Sequence, residues 1–428
     1  MNIPVSDLNR IVIIGGGFAG INLAKSLKGT GVQIVMIDRN NYHTFQPLLY
    51  QVSTGGLEPD SIAYPIRKIL KNLDDFHFRW AEVERIDPER KLVHTNKGDV
   101  QYDYLVIATG TKTNYFGNES FKDYSMPMKS VPQALNIRSY MLQNFEKADD
   151  STDKEERLAL LNFCIIGAGP TGVELAGAFA ELKKNVFPRD YPHLNVDEME
   201  IHLFEGTDRI LPPMRPNSSK KSLEFLQNMG VTVHLNTMVK SYDGTVLKTN
   251  NDEEFRSRNF IWTAGVTGAK IPGLPEEVLL ERFNRFKVNR FNQVDGFEEI
   301  FAIGDIAYME TDDFPKGHPQ VAQPAIQQGK HLASNFKRML GGKKMEPFSY
   351  FDKGTMATIG RNKAVVDLPN RGSFSGTFAW LIWMFVHLMA LVGFRNKVVV
   401  FFNWVYSYIN YDKAARLIVR TYTRKGES

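Results

Sequence analysis

The sequence predicts an α/β protein: two similar parallel-sheet units, the first split in the chain around the second, followed by an apolar helical C-terminal region. Three observations carry that prediction. Two apolar runs, residues 11–14 and 163–166, each lead into a G-x-G-x-x-G turn and a helix-like segment. Further apolar runs end either in small residues or in a carboxylate, as parallel strands beneath a bound nucleotide do. Residues 377–394 then carry no formal charge at all.

Taken in order, residues 10–38 read as strand, turn, helix, strand. Gly15, Gly17 and Gly20, with Phe18 and Ala19 between them, make the turn and open the helix, which residues 21–27 continue and Gly29 and Gly31 end. In such a turn one glycine makes the bend, one lets backbone approach a pyrophosphate and one lets the helix sit close to the strand. The helix N-terminus adds unpaired N–H groups and a positive dipole end. Gly167, Gly169 and Gly172, with Pro170 and Thr171, repeat the pattern. Both matches sit after a strand and open a helix, the context a dinucleotide fingerprint requires, so the units are expected to be Rossmann-like and to hold two dinucleotides. The strand 32–37 ends at Asp38, followed by Arg39; Asp38 lies 18 residues after Gly20, close to where an acid meets a ribose hydroxyl. Residues 41–67, rich in Gly and Pro and without a clear period, predict a packed loop and then a short helix. The strand 105–108 runs into Ala108, Thr109 and Gly110, small enough for backbone to approach a cofactor.

The charged run EKADDSTDKEER, 146–157, predicts a solvated helix face or linker and, just ahead of the central fingerprint, a domain boundary. A polar insertion, 183–200, then delays the next strand, 201–204, whose terminal acid Glu205 lies 33 residues beyond Gly172, against the usual ~20. Strands are expected at 231–235 and 259–262, the latter ending in Thr263, Ala264 and Gly265. Residues 299–307 hold a strand running into Gly304 and Asp305. A helix is expected over 324–332, opening on Pro324 and Ala325, with Gln323 ahead of it and Gln327 and Gln328 inside. The expected domain ranges are 1–115, 116–290, 291–345 and 346–428.

At the C-terminus, the uncharged stretch is just long enough to be considered as a membrane span, but the residues after it argue for another arrangement. In 396–410, Asn396, Asn403, Ser407 and Asn410 fall on one helical face, and Val398, Phe401, Phe402, Val405 and Ile409 on the other. Arg395, Lys397, Lys413, Arg416, Arg420, Arg424 and Lys425 add positive charge, and Trp380, Trp383 and Trp404 lie here too. This pattern suits a helix lying in a membrane interface; a dimer interface or buried core is the alternative. His387 reads as a packed or interfacial histidine rather than a ligand. The single cysteine, Cys164, inside an apolar strand, excludes an internal disulfide, a C-x-x-C redox pair and a cysteine-rich metal site. The net charge of +4 in 428 residues gives no sign of a nucleic-acid partner. The N-terminal MNIPVSDLNR lacks an apolar signal segment, which predicts a chain that stays in a reducing compartment.

Together, IVIIGGGFAG, NYHTFQPLLYQVSTGGLEPDSIAYPIR, LVIATG, CIIGAGPTGVELAGAFAE, IWTAG, IFAIGDIA, AQPAIQQGK and WLIWMFVHLMALVGFRNKV resemble the two-dinucleotide flavoproteins. Within them the chain resembles the type II NADH:quinone oxidoreductases, single-subunit NADH dehydrogenases that do not pump protons. The resemblance implies FAD on the first fingerprint, with Asp38 on its ribose where many relatives have Glu, Asp305 on the ribityl chain, and Gln323 with neighbouring backbone near the isoalloxazine. It implies NADH on the second, with Glu205 on its ribose and hence a preference for NADH over NADPH, which Arg209 would soften unless it only makes a surface ion pair. Arg39, the small strand ends and the first-turn residues Phe18, Ala19, Pro170, Thr171, Pro324 and Ala325 complete the two sites. Glu174 resembles the family's acid near the nicotinamide; an ordinary acid favoured by the helix dipole is the alternative. Gln323 and Gln327 are candidates for the quinone headgroup, with helix-start hydrogen bonding as the alternative. No metal or covalent nucleophile is required. The implied partners are a membrane quinone, menaquinone or ubiquinone, the lipid surface on the cytoplasmic face of the inner membrane, and a second copy in a homodimer. A sulfide:quinone oxidoreductase, a soluble electron-carrier reductase and a non-enzymatic NADH-sensing flavoprotein are the other classes considered.

Overall fold

The structure, a computed structural model, describes residues 1–369, 372–411 and 416–427; of the basic C-terminal residues, Lys413 lies outside them. The chain divides into two compact units. Unit one comprises Met1–Thr44, Tyr64–Lys112 and Val266–Asp352, and unit two Phe45–Ala63, Thr113–Gly265 and Lys353–Ser428. Residues 45–63 thus group with unit two and 266–290 with unit one, unlike the ranges expected from the sequence. The charged run 146–157 lies inside unit two and marks no boundary. It forms the end of the helix Val131–Asp150 and the start of the helix Lys154–Leu161.

Unit one is built on a five-stranded parallel sheet in the order Ile300–Ala302, Tyr104–Ile107, Arg10–Ile14, Gln33–Asp38, Phe76–Trp80. Its central strand is buried on both faces, which is why it reads as an unbroken apolar run rather than an alternating one. One face carries the first glycine helix, Phe18–Ser26, and the long helix Ala322–Leu340, packed through Ile11, Ile13, Leu23, Leu332 and Phe336. Gly329 is what lets these helices meet: a methyl group there would press on the Ala19 carbonyl. The other face, including Val12, Ile14, Val35 and Ile37, packs on Ile86 and Val93 of the antiparallel strands Val83–Asp87 and Leu92–Thr95.

Unit two repeats the plan. Its parallel sheet runs Met126–Pro127, Asn259–Trp262, Phe163–Ile166, Ile201–Phe204, Val231–His234. In both sheets the glycine-turn strand sits in the middle, flanked on one side by the strand that ends in an acid and on the other by a strand that ends in small residues. The second glycine helix, Pro170–Asn185, lies against a further antiparallel sheet, Thr355–Gly360, Lys363–Leu368 and Gly372–Ser375. The segment 41–67 is more ordered than a loop: within unit two it forms the short helices Leu49–Ser53 and Pro59–Ile62.

The uncharged stretch forms the helix Thr377–Ala390, breaks at Leu391–Gly393, and is followed by the terminal helix Phe394–Asn410. Among the described residues no helix is long and apolar enough to cross a membrane.

A tight helix–sheet approach in unit two is at Gly177, where an added Cβ would collide with the Ile359 carbonyl. Gly177→Ala should therefore lower the thermal unfolding midpoint, at a cost of about 1–3 kcal/mol for overpacking. Gly169→Ala, whose methyl would meet no protein atom within 4 Å, should leave the nucleotide-free midpoint unchanged.

Candidate active site

The two glycine turns divide their labour alike. Gly15 and Gly167 have φ of +110° and +97°, a backbone that L side chains rarely adopt. A Cβ on Gly20 would run into the Gly15 carbonyl, and one on Gly172 into the Gly167 carbonyl. These four glycines are required by the fold itself. Gly17 and Gly169 are different: each has negative φ, and an added Cβ would meet nothing within 4 Å. Each is the N-cap of its helix and makes no side-chain cap, so the space beside it opens onto the unpaired first-turn N–H groups. Glycine at these two positions keeps that space clear, as close approach of a phosphate to the backbone would require.

Each turn is closed by the acid at the end of the next strand. Asp38 Oδ2 accepts from Gly16 N at 2.6 Å, and its Oδ1 from Asn40 N at 2.7 Å. Glu205 Oε2 accepts from Ala168 N at 2.9 Å, and its Oε1 from Thr207 N and Oγ1, both at 3.0 Å. Burial holds the Asp38 carboxyl above its usual range, while the two backbone N–H groups and Arg39 pull it back down. A carboxylate offers about four lone-pair sites, so each acid keeps capacity for a hydroxyl. Beyond Asp38 an open groove of about 460 Å³ is lined by Arg39, Asn40, Asn41, Tyr42, Arg67, Phe78 and Trp80. Arg209 does not approach Glu205 in any recorded ion pair; its guanidinium donates to the Pro212 carbonyl at 2.8 Å.

In unit one the small-residue strand end and the second half of the split domain meet. Thr111 Oγ1 donates to Asp305 Oδ2 at 3.3 Å. Thr109, between Ala108 and Gly110, has a buried hydroxyl with no protein partner among the described residues. That orphaned hydroxyl and the open space at Gly17 fit a polar group lying along this edge. Gly304 (φ +76°) donates its N–H to Gln328 Oε1 at 2.6 Å. Gln323 is half-buried and Pro324 and Ala325 are buried in the first turn of their helix. Gln327 is engaged at both ends of its amide: Nε2 donates to the Phe351 carbonyl at 2.9 Å and Oε1 accepts from Phe351 N at 3.0 Å. It thereby holds the chain at Phe351.

In unit two, Ala264 and Gly265 follow the strand Asn259–Trp262 at the same edge as Gly167, whose Cβ position faces Ala264. Pro170 and Thr171 open the helix; its second turn brings Glu174, 8% exposed, to a small cavity of about 80 Å³. Gln46, Leu49, Tyr50, Met128, Lys129 and Thr171 also line it. Burial pushes the Glu174 carboxyl up to about 8, opposed by a hydrogen bond from the Thr358 backbone. At neutral pH this side chain therefore holds its proton, the requirement for a group that donates rather than only accepts.

Two residues at the site have no role assigned from the sequence. Gln328 is 1% exposed and supports Gly304; the doubled glutamine of AQPAIQQGK is its only signal. His43, 2% exposed, pairs its Nδ1 with the Gly16 carbonyl at 2.9 Å and steadies the first turn. Burial keeps it below the usual imidazole range. Cys164 is fully buried and its thiol is pushed up to about 12, so it supplies no thiolate, as expected. His387 is packed as expected, its Nδ1 on the Trp383 carbonyl at 2.8 Å.

Comparison with known proteins fits this geometry. The pyridine nucleotide-disulphide oxidoreductase family pattern matches residues 9–329, and the NDH2 C-terminal domain pattern matches 353–410. The type II NADH:quinone oxidoreductase Ndh of Mycobacterium tuberculosis is 37% identical, over 94% of this chain and 88% of that protein. The type II NADH:quinone oxidoreductase of Staphylococcus haemolyticus is 29% identical over 84% of this chain and 89% of its own. Among solved structures, NDH2 of Plasmodium falciparum in complex with NADH superposes with a TM-score of 0.86 at 22% identity, covering 96% of this chain and all (100%) of that one. The sulfide:quinone oxidoreductase of Aquifex aeolicus has the same fold, with a TM-score of 0.71 at 19% identity over 91% and 92% of the two chains. The chain belongs to the type II NADH:quinone oxidoreductases, within the pyridine nucleotide-disulphide oxidoreductase class that its two nucleotide cradles define.

Glu174 makes a measurable signature. Its carboxyl is raised from 4.5 in the unfolded chain to about 8 in the fold, so its contribution to stability is complete below pH ~4.5 and is lost as pH rises through ~8. Glu174→Gln should remove that loss, flattening the unfolding midpoint over this range. In the wild type an infrared protonated-carboxyl band should persist at pH 7 and titrate near 8.

Proposed function

We propose that this chain oxidises NADH and reduces a membrane quinone, menaquinone or ubiquinone, by two-electron transfer through bound FAD, without pumping protons. The duplication of the nucleotide cradle carries this reading: one chain presents two turns open at Gly17 and Gly169, each bordered by a strand-end acid. In this reading Gly15, Gly17, Phe18, Ala19, Gly20, Asp38, Arg39 and the 108–110 strand end hold FAD, with Gly304, Asp305, Gln323, Pro324 and Ala325. Gly167, Gly169, Pro170, Thr171, Gly172, Glu174, Glu205, Ala264 and Gly265 hold NADH. The flavin, when bound, supplies the redox chemistry, accepting a hydride and passing electrons on.

The chain's own residues do the rest. The two helix N-termini neutralise pyrophosphate charge, and Asp38 and Glu205 accept ribose hydroxyls. A 2′-phosphate at Glu205 would bring like charges together, which favours NADH. Positioning supplies most of the rate. Glu174, protonated at neutral pH, offers a hydrogen-bond donor beside the nucleotide helix, and Gln323 an uncharged partner for a quinone carbonyl. Gln327, committed to Phe351, contributes by fixing that segment.

The C-terminal helices support a peripheral seat on the cytoplasmic face of the inner membrane. The terminal helix buries Asn396, 2% exposed, and half-buries Asn403 and Ser407, whereas Phe402 and Ile409 are 62% and 68% exposed. Phe378 and Phe385 on the preceding helix are 61% and 66% exposed. An outward apolar surface flanked by Arg395 and Lys397 matches an interfacial helix pair. A homodimer, as the family resemblance implies, completes the proposal.

Steady-state oxidation of NADH by flavin-loaded protein with a short-chain quinone tests the activity; no quinone-dependent turnover would overturn it. Glu205→Gln should narrow the NADH-over-NADPH ratio of kcat/KM by about tenfold, the size expected for one charge-assisted hydrogen bond. An unchanged ratio would remove Glu205 from the ribose. Replacing Phe385 and Phe402 together by Asp should abolish sedimentation with anionic phospholipid vesicles while leaving short-chain quinone turnover intact.

A further inference from the structure

A chain of hydrogen bonds within unit two runs from the terminal helix to the cavity beside Glu174. Trp404 Nε1 donates to Gln51 Oε1 at 2.8 Å, and Gln51 Nε2 donates to the Tyr50 hydroxyl oxygen at 2.8 Å. The direction of this chain is forced. An indole N–H is a donor only, so the amide oxygen of Gln51 must face Trp404 and its NH2 must face Tyr50. The phenol oxygen is thereby an acceptor from Gln51, and its own proton must point elsewhere. Tyr50 is 8% exposed and lines the same cavity of about 80 Å³ as Glu174, Thr171 and Lys129. No described residue accepts the phenol proton in a recorded hydrogen bond. A space of this size accommodates water or the polar edge of a ligand.

We propose that Trp404 and Gln51 are positioning residues that fix Tyr50 as a hydrogen-bond donor into the Glu174 cavity. There the phenol O–H and the Glu174 carboxyl together form a neutral donor pair for a carbonyl oxygen of the quinone class. The inference rests on the role proposed for Glu174. It extends that role by naming a second donor and the device that orients it. Because the first link sits on the terminal helix, the seating of that helix is connected to the polarity of the cavity. No proton need move along the chain; its role is to set orientation.

Gln51→Glu is the discriminating variant. The side chains are close in shape, but a carboxylate accepts at both ends: it keeps the Trp404 bond and turns the Tyr50 proton away from the cavity. In flavin-loaded full-length protein in detergent, Gln51→Glu and Tyr50→Phe should each raise KM for a short-chain quinone roughly three- to tenfold, the worth of one hydrogen bond. KM for NADH and the unfolding midpoint should stay unchanged. The double variant should be no worse than either single one, since both remove the same donor. Trp404→Phe, which frees the amide to rotate, should give a smaller rise in the same direction. Independently of turnover, the infrared band of protonated Glu174, identified by its loss in Glu174→Gln, should shift alike in Tyr50→Phe and Gln51→Glu. An unchanged quinone KM and band in Tyr50→Phe would eliminate the phenol as donor; a change there without one in Gln51→Glu would eliminate the orienting role. If Glu174→Gln itself leaves quinone turnover unaltered, the Glu174 assignment falls, while the common band shift still upholds the orientation of Tyr50.

Discussion

The bond between a strand-end carboxylate and the backbone N–H inside each glycine turn is the constraint on which both units depend. Asp38 reaches Gly16 and Glu205 reaches Ala168. In each case the middle residue of G-x-G is tied to the neighbouring strand, so the bend is pinned from outside as well as by its own positive-φ glycine. The bond also brings negative charge close to the positive end of a helix, where it is stabilised. In the proposed reading that charge discriminates as well as supports: it suits a neutral hydroxyl of a nucleotide and opposes an added phosphate. Asp38 reaches with one methylene fewer than Glu205, yet in both the second oxygen accepts from the N–H two residues on, Asn40 and Thr207. The two acids therefore do one job with the same local pattern, and the aspartate loses nothing at the turn.

A pinned turn requires the glycine helix to sit close over its strand, hence Gly20 and Gly172. Helices held that close need small residues where they meet other elements, hence Gly329 beneath Ala19 and Gly177 beneath Ile359. The second glycine helix is thereby clamped on both sides, by its own turn and by the antiparallel sheet at Thr355–Gly360. This clamping buries Glu174 and raises its carboxyl, with the Thr358 backbone supplying the opposing bond. A chemical property of one side chain is thus a consequence of helix–sheet packing along its whole helix.

Much of this was legible in the sequence because it depends on short-range spacing. Glycine intervals, apolar strands buried on both faces and the residues that end them pointed to the two sheets, and the acid at Glu205 survived a long polar insertion because it is defined by its strand rather than by distance from Gly172. What was not legible depends on partners far apart in the chain. The helices Leu49–Ser53 and Pro59–Ile62 are too short to be stable alone; the first packs on the helix Val131–Asp150 and the second on the terminal helix, and no local period announces them. Gln328 and His43 act through backbone groups, Gly304 N and the Gly16 carbonyl, that side-chain patterns do not reveal. The charged run 146–157 looked like a boundary because solvated helix ends and linkers share a composition. Local spacing likewise does not reveal the bond between Gln327 and the Phe351 backbone, 24 residues away.

The terminal helix shows how one side chain decides which face turns inward. By composition its apolar row should seek the protein, as on an ordinary surface helix. Instead Asn396 Nδ2 donates to the carbonyls of Asp60 and Ser61, at 3.0 and 3.1 Å. Those carbonyls belong to the helix Pro59–Ile62, which is too short to satisfy its own C-terminal acceptors. Buried backbone acceptors left unpaired cost more than a neutral hydrogen bond returns, so an amide was needed here and apolar residues could not replace it. Trp404 repeats the logic about two turns further along the helix, donating to Gln51. With Asn396 and Trp404 committed inward, Phe401, Phe402, Val405 and Ile409 face outward. That surface is costly in water and favourable against hydrocarbon, so the capping of the short helix and the membrane seat proposed above are two ends of one arrangement.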